Sequence, residues 1–133
     1  MNEVIDWLVN YAFNHKIGVI LDRLNFGPDV SASTDGQNVL INMNWKNSNE
    51  VPFLLAHEIG HVLNGDGVAN YCTATATTKI ESAANGQAID LLLDYCNTYD
   101  KQPQTYTDFM KYYGIPNYLE EQIKQRYAIY FKN

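Results

Sequence analysis

Along the first sixteen positions the apolar residues recur at helical spacing. Val4, Ile5, Leu8, Ala12 and Phe13 share one stripe between Glu3 and about Lys16, which predicts an amphipathic helix. "IGVILDRL" (17–24) is short and β-branched and reads as a strand. "FGPDVSASTDGQ" (26–37), with its Gly-Pro and Asp35-Gly36 pairs, is turn chemistry. "NVLINMN" (38–44) alternates, with Val39, Ile41 and Met43 on one side and Asn38, Leu40, Asn42 and Asn44 on the other, as a half-buried strand does. A helix follows, with Ser48 or Asn49 as N-cap and Pro52 in its first turn. It runs to about Asn64 and stops at Gly65.

The second half is helical by the same test. After a loop over 65–78, a helix is expected from about Thr78 to Tyr95. A short one follows at "TDFMKYY", closed by Gly114 and Pro116. A last helix has a capping-box-like start at Asn117 to Glu120 and places Leu119, Ile123, Tyr127 and Tyr130 on one stripe. The pattern predicts one α+β domain over residues 1–133, mostly helical, with a small N-terminal sheet.

Composition narrows the function. The chain has 133 residues, 46% of them hydrophobic, enough to form a core. Its net charge of −6 argues against a duplex-binding surface, which needs a basic patch, so no direct nucleic-acid contact is expected. Two cysteines, Cys72 and Cys96, make neither a CxxC pair nor a disulfide framework. Glu3 and Asp6 precede the first apolar residues, unlike a secretory signal, and no apolar run is long enough to span a bilayer. A cytoplasmic protein without a membrane segment is the expectation.

Chemistry concentrates in "FLLAHEIGHVLNGD" (53–66). Of three histidines in the chain, His57 and His61 stand four apart on a predicted helix, and so project from one face. Glu58 lies about 100° round the helix from His57, placed to reach a water on a metal held by the pair rather than the metal itself. This is an HExxH motif, whose chance occurrence in a chain of this length is roughly one in a few hundred. The plainer reading is a core helix with two hydrogen-bonded histidines.

A catalytic zinc site takes three protein ligands and leaves one position to water. The extended motif with a third histidine is closed here, because its glycine and histidine positions hold Asn64 and Gly67. His15, on the first helix, reads as a surface residue. Cys72 lies in a loop without ligand spacing. Asp90 and Asp94 read as solvated. The better candidate is Glu81 in "IESAANGQAIDLLLDY". Ala84, Asn85, Ala88 and Leu92 continue its face, and small residues there let two helices approach closely. Asn85, one turn on, is placed to orient a ligating histidine through its amide oxygen. The alternative, a solvated glutamate favoured by the helix dipole, stays open on position alone.

"HEIGH", followed twenty positions after His61 by "ESAAN", resembles the ImmA/IrrE family of metallopeptidases. The resemblance covers about residues 38–95 and extends weakly into the "YGIP…LE" tail. Glu81, Ala84 and Asn85 match the family's E-x-x-A-N motif. Ala88 fits as well, whereas Gly86-Gln87 stands where an aromatic is common. The resemblance implies a minimal zincin-like, compact gluzincin domain with its metal site between two helices. It implies zinc held by His57, His61 and Glu81, with Glu58 as general base. It further implies an endopeptidase acting on a helix-turn-helix repressor of a phage or mobile element. The competing reading is a non-catalytic antirepressor that binds its partner and keeps zinc for structure. Tyr71, Tyr95 and Tyr99 are candidates for the oxyanion donor that peptide hydrolysis needs. If the 38–44 strand is a sheet edge, an extended substrate can pair with it.

Overall fold

Helix α1 (Glu3–Asn14) buries Val4, Ile5, Leu8 and Ala12, as the stripe requires. Phe13 departs from it and is 77% exposed. Lying about 100° beyond Ala12, it passes the edge of the buried stripe. The computed structural model describes residues 3–22, 32–66 and 74–131.

The sheet holds three described strands, β1 (Gly18–Asp22), β2 (Ala32–Asp35) and β3 (Asn38–Asn42), in the order β1-β3-β2. β1 runs parallel to β3, with Gly18 opposite Asn38 and Asp22 opposite Asn42. β2 runs antiparallel to it, with Asp35 opposite Asn38. The Gly36-Gln37 turn joins this hairpin, with Gly36 at φ +63°, a conformation that favours glycine.

Two expectations for the sheet do not hold. β2 occupies part of a segment that reads as turn. β3 is the middle strand, flanked on both sides, so an extended substrate cannot add to it. Val39 and Ile41 are fully buried, as their alternation predicts. The opposite face is less wet than its asparagines suggest. Asn42 is buried, and its Oδ1 accepts the Asn44 N–H at 2.9 Å.

Helix α2 (Val51–Leu63) lies between the sheet, where it meets β2 and β3, and helix α3 (Ala74–Thr98). Its sequence, VPFLLAHEIGHVL, is apolar around most of the cylinder, which suits a helix covered on more than one side. Leu55 and Ile59 are fully buried, each worth about 1.5–3 kcal/mol of transfer free energy. The expected cap at Ser48 or Asn49 does not form. Those residues sit in a 3-10 turn (Ser48–Glu50) that leads into α2 with Glu50 at the N-cap position and no side-chain cap. The Glu50 carboxylate instead accepts the Trp45 indole N–H at 2.8 Å.

α3 starts four residues before Thr78 and ends three after Tyr95. Helix α4 (Tyr106–Tyr113) is capped by Thr105, whose Oγ1 accepts the Asp108 N–H at 3.1 Å, and ends at Gly114 with φ +65°. Gly114 is required twice over there, because a Cβ would collide with the backbone of Asn49 and Glu50. The capping box expected at Asn117 to Glu120 is replaced by a 3-10 turn (Asn117–Leu119) without a side-chain cap, which leads into helix α5 (Glu120–Tyr130). α5 packs on α3, with Ile123 fully buried and Tyr127 and Tyr130 partly buried on the stripe that the sequence predicts; the Tyr130 hydroxyl donates to the Asp90 carbonyl of α3 at 3.4 Å. No described helix is long and apolar enough to cross a membrane.

Candidate metal centre

α2 and α3 pack extensively against each other, and their close approach has a local reason. Gly60 faces the carbonyl of Ala84, so closely that a Cβ at position 60 would lie 2.8 Å from that oxygen and 3.1 Å from the Gln87 Cβ. Ala84 and Ala88 are fully buried. The small face expected on α3 therefore exists, and it meets a glycine inside the histidine motif itself. Gly60→Ala should gain about 1 kcal/mol of helix propensity but lose about 1–3 kcal/mol to overpacking. A net destabilisation of about 1 kcal/mol in urea unfolding is expected, with weaker metal uptake as the helices part. Unchanged stability and unchanged uptake would show that this contact does not set the helix spacing.

That spacing brings three side chains together. His57 Nε2 lies 3.1 Å from Glu81 Oε1, His61 Nε2 lies 3.0 Å from Glu81 Oε2, and the two Nε2 atoms are 3.1 Å apart. Among the described residues this is the one group of three or more potential ligands able to share an ion. Unprotonated imidazole nitrogens and an ionised carboxylate are all acceptors, and at this separation they repel unless a proton or a cation is shared among them. Donors on a tetrahedral ion with bonds of about 2.0–2.1 Å stand about 3.3–3.4 Å apart, so the cluster fits a divalent ion with little adjustment. The His57 and His61 side chains are 13% and 8% exposed, whereas Glu81 is 43% exposed. The cluster thus has a buried imidazole side and a solvent-facing carboxylate side. Glu58 is half-buried on α2 and lies outside the ligand triangle.

Asn85 is buried, and its Oδ1 has no hydrogen-bond partner. The same holds for His57 Nδ1. The other histidine of the cluster differs, because its Nδ1 lies 3.0 Å from Asp66 Oδ2. Sequence reasoning does not single out Asp66. The signal that points to it is the spacing of His61, Gly65 and Asp66 around a helix end.

The rival residues go elsewhere. His15 is exposed, stacks on Tyr11 and hydrogen-bonds the Tyr11 carbonyl through Nδ1 at 2.8 Å, as a surface residue does. Asp90 is not simply solvated: it pairs with Arg126 at 2.5 Å. Asp94 is exposed. Tyr95 and Tyr99 stand fourteen and eighteen residues beyond Glu81 on or just past α3, about 20 Å or more along the axis, too far to serve an oxyanion at the cluster. Tyr71 and Cys72 fall outside the described residues.

The Gly86-Gln87 departure has a structural reason. Gly86 lies under Arg126, whose Nη1 donates to the Gly86 carbonyl at 3.3 Å, and a Cβ there would sit 2.7 Å from Nη2. Gln87 donates to Asn64 Oδ1 at 3.2 Å, tying α3 to the end of α2. Polar ties occupy the place where an aromatic is common in the family.

Compared with known proteins, the chain matches neither a curated protein nor a solved structure. It does match a family, the IrrE N-terminal-like domain of the M78 peptidases, over residues 17–128, a span that contains both motifs and every ligand candidate of the cluster. With most of its length covered, the chain belongs to this family of metallopeptidases.

Proposed function

We propose that the protein is a zinc-dependent endopeptidase of the gluzincin type, with His57, His61 and Glu81 as ligands and Glu58 as general base. The observation that carries this reading is the convergence of three acceptor groups from α2 and α3 within about 3 Å of one another. When bound, zinc supplies Lewis-acid polarisation of a scissile carbonyl and acidifies a water. The Glu58 carboxylate accepts the proton of the attacking water and delivers it to the nitrogen of the departing amine. Glu81, half exposed, keeps the carboxylate side of the cluster accessible to a peptide. Asn85 would orient a ligating histidine through its amide oxygen; its buried Oδ1, an acceptor without a partner in the structure, supports that role.

The proposed substrate is a helix-turn-helix repressor of a phage or mobile element, met in the cytoplasm without contact to DNA. The resemblance of "HEIGH…ESAAN" supports this, and so does charge. A repressor carries a basic DNA-binding face, and an acidic enzyme of net charge −6 attracts it.

The test is incubation of the zinc-loaded protein with the repressor encoded beside its gene, read by intact mass. Two fragments whose masses sum to the repressor plus one water are expected, and none after chelation of the metal. An intact repressor in a stable complex would overturn the reading.

A further inference from the structure

The end of α2 is closed by two backbone hydrogen bonds. The Asp66 N–H donates to the His61 carbonyl and the Gly65 N–H to the Val62 carbonyl, both at 3.0 Å. Gly65 sits at φ +69° between them. This is a Schellman closure, and it turns the chain back along the last helical turn instead of away from it. Asp66 therefore stands beside His61. Its Oδ2 lies 3.0 Å from His61 Nδ1, with the two side chains only 10% and 8% exposed.

We propose that Asp66 is a positioning residue for His61, holding the imidazole in the Nδ1–H tautomer with its Nε2 lone pair presented to the His57–Glu81 cluster. The inference rests on the metal-site reading above. Both ring nitrogens of His61 face a carboxylate at 3.0 Å, Asp66 at Nδ1 and Glu81 at Nε2, but Asp66 is 10% exposed against 43% for Glu81, so the less hydrated and stronger acceptor takes the Nδ1 proton and the lone pair falls to Nε2. With both groups largely removed from water, this charge-assisted bond resists exchange with solvent. It also makes Nε2 a better donor to a cation. The two histidines are thereby unequal. His57 Nδ1 is buried without a partner, whereas His61 is held from both ends, by the carboxylate at Nδ1 and by its own carbonyl in the helix closure. Glycine at 65 and aspartate at 66 act as one device, the first supplying the backbone turn and the second the carboxylate it delivers.

The experiment compares the full-length wild type with Asp66→Asn, Asp66→Ala and, as a ligand control, Glu81→Ala. Zinc affinity is measured by chelator competition. The His61 tautomer is read by long-range proton–nitrogen NMR of the imidazoles, and folding is checked by thermal unfolding. Wild type should show His61 as Nδ1–H. Asp66→Ala should bind zinc roughly 10–100-fold more weakly and lose the tautomer preference in the metal-free protein. Asp66→Asn keeps an acceptor oxygen in place, so it should keep the tautomer and recover part of the affinity. A helix cap alone would change the unfolding temperature and leave tautomer and affinity untouched. Wild-type zinc affinity and tautomer in Asp66→Ala would overturn the role. Should that variant not fold, wild-type affinity in Asp66→Asn would overturn the contribution of the charge. Absence of zinc uptake by the wild type itself would overturn the metal-site reading and this role together, an outcome distinct from loss of the role alone.

Discussion

Glu58→Gln should abolish repressor cleavage while the protein still takes up zinc at wild-type affinity. The amide has nearly the shape of the carboxylate but accepts no proton at neutral pH. The substitution thus removes the group proposed both as the base that activates water and as the acid that protonates the leaving amine. Loss of a general acid–base is worth roughly 10²–10⁴ in rate, and a group serving both steps belongs at the upper end. Glu58 lies outside the triangle formed by His57, His61 and Glu81, so chelator competition should return an unchanged affinity. It is half-buried in a helix, and an isosteric change there should leave thermal unfolding close to wild type. The same variant separates the two functional readings. Repressor inactivation that survives Glu58→Gln, with the repressor intact by mass, would establish an antirepressor and remove the peptidase.

Glu81→Ala should reduce zinc affinity by more than about 100-fold, beyond the roughly 10–100-fold that follows loss of an outer partner. Two imidazoles held on one helix turn retain weak affinity, but a site with a free position for water needs the third protein ligand. The fold should survive. Glu81 is 43% exposed, and α3 is anchored by Ala84, Ala88, Ile89, Leu92 and Leu93, all fully buried. A Glu81→Ala protein that binds zinc with unchanged stoichiometry and affinity would move the third ligand elsewhere. Circular dichroism separates that result from simple unfolding.

Most of this site is legible in the sequence because its information is local. His57, Glu58 and His61 lie within five residues on one helix, and the small residues following Glu81 announce a close helix contact. The partner of those small residues is less visible. Gly60 occupies an unspecified position of the motif, and only the approach of Ala84 shows why glycine stands there. Asp66 is hidden for a related reason. A residue after a helix end points anywhere until the closure at Gly65 is known.

The sheet is the least legible part. "ASTD" carries no apolar alternation and sits among turn residues, so β2 is defined by its pairing with β3 rather than by its own side chains. The middle position of β3 depends on β1 and β2 together, which no property of residues 38–44 encodes. The early start of α3 escapes the pattern because "TATATT" is rich in threonine, whose β-branch weakens helix propensity.

The proximity of Glu81 to the two imidazoles also bears on how the molecule withstands heat. Residues 57 and 81 are separated by a stretch of chain that must be tied off when the chain leaves the denatured ensemble, and an ion held at both ends, as proposed, would close it much as a covalent cross-link does. By mass action, an ion that prefers the native state adds about 2.7 kcal/mol at a free concentration one hundred times its dissociation constant. With the proposed ligands holding the ion, the melting point of this peptidase would be coupled to trace-element supply, and a cell starved of the ion would lose durability of the catalyst along with turnover.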